Sequence, residues 1–216
     1  MVEPFKNLIN AALVQTAATH LARHDRGFDA ARFTALALPG LDALEMKARA
    51  LQICAALEAT LPPRFEEAAD LIEAALAPAG RSWADQPSRA EGLAGWILWP
   101  VGEFVARQGL ASPERALQVL HALTQRFTAE FAIRPFIVQH PALVFDTLQR
   151  WTQDPSDHVR RLVSEGSRPR LPWGLQLKSL VVDPSPTLAL LRALQDDPSE
   201  YVRRSVANHL NDIAKD

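Results

Sequence analysis

The sequence has a single cysteine, Cys54, among its 216 residues. One thiol excludes an internal disulfide and a cysteine-based zinc site, and Cys54 lies in an apolar helical context. Chains without disulfides are typical of a reducing compartment. We therefore expect a cytoplasmic protein.

A long apolar run is also missing. The closest segment, LAGWILWPVGEFVA, is interrupted by Pro100 and Glu103, whereas a membrane-spanning helix needs about 20 apolar residues. The opening, MVEPFKNLIN, carries charges where a secretory signal needs an apolar core. These features predict a protein with no membrane partner.

Common cofactor and catalytic motifs are absent as well. The sequence contains no G-x-G-x-x-G, G-x-x-x-x-G-K, H-E-x-x-H or G-x-S-x-G, which leaves nucleotide cofactors, zinc hydrolysis and a serine nucleophile elbow without support. His20 and His24 have the spacing of a metal pair on one helix, but no third ligand accompanies them. We interpret both as solvent-facing residues and expect neither a cofactor nor a metal ion.

Positive charge is concentrated in one stretch, although the formal net charge is only -2. Between His158 and Arg170, four arginines surround the acid Glu165, and Trp173 follows within R-P-R-L-P-W-G. Such a patch is typical of surfaces that bind phosphates. We predict DNA contacts by its arginines, which are Arg160, Arg161, Arg168 and Arg170.

Helical periodicity extends over most of the chain, and alternating strand patterns are nearly absent. With 48% hydrophobic residues the chain can bury a full core. The sequence predicts an all-α fold with helices at about 4–22, 29–38, 41–61, 64–76, 91–107, 113–125, 128–139, 141–152, 156–165, 173–181, 184–194 and 199–213.

An internal repeat organises the second half of the chain. HPALVFDTLQRWTQDPSDHVRRLVSEG overlays DPSPTLALLRALQDDPSEYVRRSVANH without gaps at an offset of 43 residues. Each unit is a proline-opened helix, a D-P-S turn and a second helix with V-R-R, as in HEAT repeats. We predict one curved α-solenoid domain over 1–216, with N-terminal helices in 1–111 and groove-lining repeats in 112–216.

The second helices separate apolar from polar residues. Apolar stripes comprise Val159, Leu162, Val163, Val202, Val206 and Leu210. Polar residues four apart recur in three units: Glu130 with Arg134, Arg161 with Glu165, and Arg204 with Asn208 and Asp212. Stacked, they would form a groove lined by arginines and carboxylates, with Arg204 a further DNA contact. The alternative is ordinary surface helix pairs.

The tryptophans fall into two groups. Trp96, Trp99 and Trp151 lie on apolar helical stripes, which favours the core, and Trp83 lies in the loop GRSWADQPS. Trp173 lies in a proline-flanked turn beside arginines, where a ring can be held partly exposed for stacking. A plug between two repeats is the other interpretation.

Five segments resemble one known family. EPFKNLINAALV, LPGLDALEMKARALQI, EFAIRPFI, VRRLVSEGSRPRLPWG and DPSEYVRRSVANHLNDIAKD are similar to the AlkC branch of the HEAT-like-repeat DNA glycosylases, in the superfamily that includes AlkD. The resemblance implies excision of cationic N-alkylated bases, such as 3-methyladenine and 3-methylcytosine, from duplex DNA without base flipping.

The same resemblance implies roles for individual residues. It assigns the catalytic acids to Glu130, Glu165 and Asp212, the lesion contact to Trp173, and DNA contacts to Arg161 and Arg168. Family members generally continue beyond the position of Asp216, some with an immunoglobulin-like domain, so a C-terminal extension is expected to be missing. We expect a monomer that initiates base excision repair.

A non-catalytic HEAT-repeat module is the competing hypothesis. Most HEAT arrays bind DNA or protein partners and catalyse nothing, so the fold by itself favours a scaffold.

Overall fold

The computed structural model describes residues 4–80 and 89–215 of the chain. Trp83 therefore lies outside the described residues. Within them, helices are separated by short connections, and no β-strand occurs apart from an isolated bridge between Leu76 and Leu93. The prediction of an all-α fold is confirmed.

The described part of the chain contains twelve α-helices and three 3₁₀ helices. The 3₁₀ helices are Phe5–Leu8, Leu41–Ala43 and Gly95–Ile97. The α-helices are α1 (Ala11–His24), α2 (Ala30–Ala37), α3 (Met46–Thr60), α4 (Phe65–Ala75), α5 (Leu98–Gln108), α6 (Pro113–Thr124), α7 (Arg134–Gln139), α8 (Pro141–Trp151), α9 (Asp157–Gly166), α10 (Lys178–Val182), α11 (Ser185–Leu194) and α12 (Glu200–Ile213). None of the described helices is long and apolar enough to cross a bilayer.

Neighbouring helices pack in chain order to form a solenoid. In the N-terminal half, α3 lies against α2 and α5, and α1 contacts α2 and α4. In the C-terminal half, α9 packs against α6, α8, α11 and α12. The second helices of the two repeats, α9 and α12, therefore lie side by side, as the 43-residue overlay predicts.

Five predicted helices begin later than the sequence pattern suggests. Three of them, α1, α3 and α5, each follow a 3₁₀ helix that occupies part of the predicted range. The helix predicted over 128–139 begins at Arg134, because a continuous helix would place Pro135 in its interior, where proline lacks the needed N–H group. The helix predicted over 173–181 begins at Lys178, because Trp173 has a φ of 64° and cannot be helical.

Aspartates fix the D-P-S turns. Asp154 Oδ1 accepts a hydrogen bond from the backbone N of Ser156 at 2.8 Å, and Asp197 Oδ1 accepts one from Ser199 at 2.8 Å. The Asp197 carboxylate also accepts two hydrogen bonds from Arg160 of the preceding repeat, one from Nε at 2.6 Å and one from Nη2 at 3.0 Å. Each aspartate therefore shapes its own turn, and Asp197 also joins it to the neighbouring repeat.

The apolar stripes are buried, with one exception. The stripe residues of α9 and α12 are in the core, except Leu210, which is 47% exposed. Leu210 lies eight residues after Val202, which rotates it by about 80° away from the stripe. His209, seven residues after Val202, returns to the stripe and is fully buried.

Candidate functional site

Three carboxylates from successive elements meet on one side of the solenoid. Glu130 lies in the turn before α7, Glu165 near the end of α9, and Asp212 near the end of α12. All three are buried, with relative exposures of 9%, 5% and 1%. Burying three acids together requires compensating cations, and arginines supply them.

Arg168 joins two of the acids. It follows α9 directly, and its Nη1 donates to Glu165 Oε1 at 2.6 Å while its Nε donates to Asp212 Oδ2 at 2.9 Å. The second Asp212 oxygen accepts from Lys215 Nζ at 3.1 Å. The second Glu165 oxygen accepts from Ser205 Oγ at 2.6 Å. These bonds fix the orientation of both carboxylates.

Arg161 joins Glu165 to the third acid. Its Nη1 donates to Glu130 Oε2, and its Nη2 lies 3.7 Å from Glu165 Oε2. Thr128 Oγ1 also donates to Glu130 Oε2, at 2.7 Å. The Arg161 guanidinium lies 5.1 Å from the centroid of the Tyr201 ring. Glu130, Arg161, Glu165, Arg168 and Asp212 thus form one continuous chain of ion pairs, hereafter the acid network.

The charges of the acid network support one another. Burial alone would lower the pKa of Arg161 and of Arg168, but the neighbouring carboxylates outweigh it and raise both values. Burial would raise the pKa of Asp212, but hydrogen bonds from Arg168 and Lys215 lower it below its ordinary value. Asp212 is therefore ionised at neutral pH.

A cleft of about 300 Å³ opens beside the acid network. Glu130, Glu165 and Arg168 line one part of it, and aromatic rings line most of the remainder. The rings are Phe5, Trp96, Trp99, Phe127, Phe131 and Trp173. Trp96 lies 4.8 Å from Phe127 and 4.9 Å from Phe5 between ring centroids. The cleft can therefore hold a planar or apolar group against carboxylates.

Trp173 lies at this cleft with its side chain 68% exposed, which does not fit a plug buried between repeats. Its φ of 64° is in the left-handed region. Gly174 N donates to Leu171 O at 3.1 Å, and Pro172 is the second residue of that turn, as in a type II turn. The third position of such a turn usually requires glycine. A tryptophan there is strained, and strain of this kind concentrates at functional sites.

Comparison with known proteins identifies the family. No protein-family model matches the sequence. YhaZ of Bacillus subtilis (strain 168), described as an uncharacterised protein, is 38% identical over 211 residues, 97% of this chain and 55% of YhaZ. The structure of Pseudomonas fluorescens alkylpurine DNA glycosylase AlkC, bound to DNA containing an abasic site analogue, matches the whole chain with a TM-score of 0.86 and 34% identity. The chain belongs to the AlkC-type family. It spans about half the length of both proteins, 57% in the case of AlkC.

Other arginines singled out in this AlkC-type sequence lie outside the acid network. Arg160 is bound to Asp197 and to turn carbonyls, with Nη1 at 2.8 Å from Asp154 O. Arg204 is exposed and pairs with Glu200 at 2.7 Å. Arg170 is half-buried.

Arg134 does not line the groove with Glu130 as the four-residue spacing predicted. Glu130 lies in a turn rather than on α7, so the two side chains do not share a helix face. The guanidinium of Arg134 is instead fully buried beneath the segment that carries Trp173.

Four residues that contact the acid network were not predicted from the sequence. They are Ser205, Thr128, Tyr201 and Lys215, which contact Glu165, Glu130, Arg161 and Asp212 respectively. Ser205 had a detectable signal, because it overlays the core residue Leu162 in the repeat. A polar residue at a core position of a repeat indicates a polar partner nearby.

Of the two histidines predicted to face solvent, one does not. His24 is exposed, but His20 is buried, with Nε2 at 2.8 Å from Arg89 O. His20 faces inward because it continues the stripe of Leu13 and Ala17 on α1, seven and three residues earlier. Among the described residues, no group of three or more His, Cys, Asp or Glu side chains is placed to hold a metal ion.

Proposed function

We propose that this chain carries the catalytic groove of a DNA glycosylase. It would hydrolyse the N-glycosidic bond of cationic N-alkylated bases, such as 3-methyladenine and 3-methylcytosine, in duplex DNA and so initiate base excision repair. The observation that carries the proposal is the convergence of Glu130, Glu165 and Asp212 in one arginine-braced network beside an aromatic cleft. AlkC, which shares the fold, is an alkylpurine DNA glycosylase.

The chemistry suits a site built from carboxylates. When the bond between C1′ and the base nitrogen breaks, its electron pair neutralises the cationic base, so no acid is needed to protonate the leaving group. The sugar gains oxocarbenium character, which nearby carboxylates stabilise. Water adds its oxygen to C1′, and the proton it loses passes to a carboxylate. Glu165 and Asp212, with Glu130 beside them, are the acids proposed for these roles.

The residues around the acids are proposed to contact the lesion and the DNA phosphates. The exposed ring of Trp173 would contact the sugar or the base of the lesion, whose positive charge favours an aromatic face. Arg168 helps to keep Asp212 ionised. Arg161 and Arg168 are also proposed to contact phosphates of bound DNA. Arg170 and Arg204 are proposed as further phosphate contacts.

Arg160 is better assigned to repeat stability. Its Nε, Nη1 and Nη2 all donate within the protein, to Asp197 and to the carbonyls of the D-P-S turn. We further propose that residues 1–216 act as one repeat domain and as a monomer, and that the damaged base stays in the helix.

Incubation with methylated duplex DNA tests the proposal. Chromatography of the supernatant should detect free 3-methylated bases at a rate that depends on the protein. A non-catalytic DNA-binding scaffold would bind the same duplex with steep salt dependence and release no base, and a protein-binding scaffold would show no steep salt dependence. Either of the last two results would reject the glycosylase.

A further inference from the structure

Arg134 is a fully buried cation whose hydrogen bonds all go to one segment. Its guanidinium donates to Gly166 O at 2.9 Å, to Leu175 O at 2.5 Å and to Pro169 O at 3.5 Å. The three carbonyls bracket residues 166–175. The guanidinium group of Arg134 therefore binds both ends of this segment from the protein interior.

The bracketed segment carries two residues of the candidate site. Arg168 bridges Glu165 and Asp212, and Trp173 projects from a turn with its backbone in the left-handed region. A left-handed conformation at a residue other than glycine is strained and persists only when its surroundings hold it. Gly174 packs directly on the clamp, since a Cβ there would lie 3.3 Å from Arg134 Nε.

Simple packing does not explain an arginine at this position. An apolar side chain would fill the space without the cost of burying a cation, but it would leave the carbonyls of Gly166 and Leu175 without the donors that Arg134 supplies. The Pro169 carbonyl also accepts from Leu177 N, at 3.1 Å. The planar guanidinium can satisfy all three at once. Burial lowers the pKa of Arg134 to about 10, so the group still carries its charge at neutral pH.

We propose that Arg134 is a positioning residue for the proposed reaction, acting through the segment 166–175. By clamping the carbonyls of Gly166, Pro169 and Leu175, it holds Arg168 against the acids and Trp173 at the cleft. It touches neither the sugar nor the base. The inference rests on the proposed function for its effect on rate, but the clamp itself can be measured without activity.

A double-mutant cycle tests the inference. Arg134→Lys keeps the positive charge but loses the planar set of donors. It should lower the single-turnover rate of base release by about 10- to 100-fold with little change in KM. In a Trp173→Ala background the same substitution should cost several-fold less, because the part of its effect that acts through the ring is already lost and only the part through Arg168 remains. Equal losses in both backgrounds would overturn the proposal.

Two further variants keep the result interpretable. Arg126→Lys is the matched control, since Arg126 also donates to carbonyls, at 2.7 Å from Ala77 O and 2.8 Å from Ala122 O, but outside the clamped segment. It should leave the rate within about twofold of wild type. If Arg134→Lys fails to fold, Gly174→Ala is the alternative, because its Cβ would lie 3.3 Å from Arg134 Nε and 3.1 Å from Leu171 Cδ2, in the turn that carries Trp173. It should show the same dependence on Trp173. An effect of Gly174→Ala independent of Trp173 would also overturn the proposal.

A measurement without substrate separates this inference from the proposed function. The indole N–H resonance of Trp173, assigned with Trp173→Phe, should shift or broaden in Arg134→Lys and stay unchanged in Arg126→Lys. An unchanged resonance in Arg134→Lys would reject the clamp even if wild type releases methylated bases. A shifted resonance would support the clamp even if wild type releases none, in which case only the proposed function fails.

Discussion

Replacing Asp197 by alanine should destabilise the repeat array far more than removing an ordinary surface carboxylate. The Asp197 carboxylate accepts two hydrogen bonds from the Arg160 guanidinium and a third from the backbone N of Ser199. The Asp197 and Arg160 side chains are 4% and 13% exposed. The hydrogen bonds to Asp197 also raise the pKa of Arg160. Alanine would leave a largely buried cation without its partner.

The expected loss follows from the burial of the pair. Removing one member of a buried ion pair costs about 3–5 kcal/mol of unfolding free energy. For a domain of this size, that loss would lower the melting temperature by about 6–20 °C. Asp197→Asn should lie between wild type and alanine, because an amide oxygen can still accept the Ser199 hydrogen bond.

An exposed pair supplies the control. Arg150 and Asp146 form an ion pair on α8 with side chains 61% and 69% exposed, so Asp146→Ala should cost no more than about 0.5 kcal/mol. Urea unfolding followed by circular dichroism measures both variants. If Asp197→Ala and Asp146→Ala were equally stable, the first arginine of the V-R-R motif would have no structural role of the kind described.

Two further predictions concern buried polar groups near the acid network. Burial lowers the pKa of His209 from 6.5 to about 4. Between these two pH values the imidazole is protonated in the unfolded chain but neutral in the folded chain. The free energy of unfolding should therefore fall by about 3 kcal/mol as the pH drops from 6.5 to about 4. His209→Asn should flatten this decline in urea titrations, and a variant with the wild-type pH dependence would contradict the assignment. Ser205→Ala removes the hydroxyl that donates to Glu165 at 2.6 Å, and it should slow single-turnover base release by about tenfold. An unchanged rate would mean that Ser205 does not orient Glu165.

The repeat overlay predicted the scaffold because packing follows helical periodicity. Val159 and Val202 occupy matching buried positions, and the D-P-S turns adopt matching geometry. The overlay could not distinguish the arginines by role. Arg160 and Arg203 both donate to turn carbonyls, at 2.8 Å and 2.5 Å, whereas Arg161 reaches the acid network.

The site was only partly predictable from spacing. Arg161 and Glu165 lie four residues apart on a real helix, and their side chains converge as expected. Glu130 and Arg134 have the same spacing, but because of Pro135 the helix begins only at Arg134, whose side chain lies in the interior. The links from Arg168 to Asp212 and from Ser205 to Glu165 join different repeats. Such contacts depend on the stacking of helices, which spacing along one helix does not encode.

The most direct test of the acid network is the single-turnover rate of base release by Glu165→Gln. Glutamine keeps the size of Glu165 but removes its charge and replaces one of its two acceptor oxygens by a donor NH2 group. We expect the release of 3-methylated bases to slow by about 100- to 1000-fold, with affinity for undamaged duplex DNA unchanged within about twofold. Release at the wild-type rate, from DNA that the variant binds normally, would contradict the central claim that these carboxylates stabilise the sugar cation.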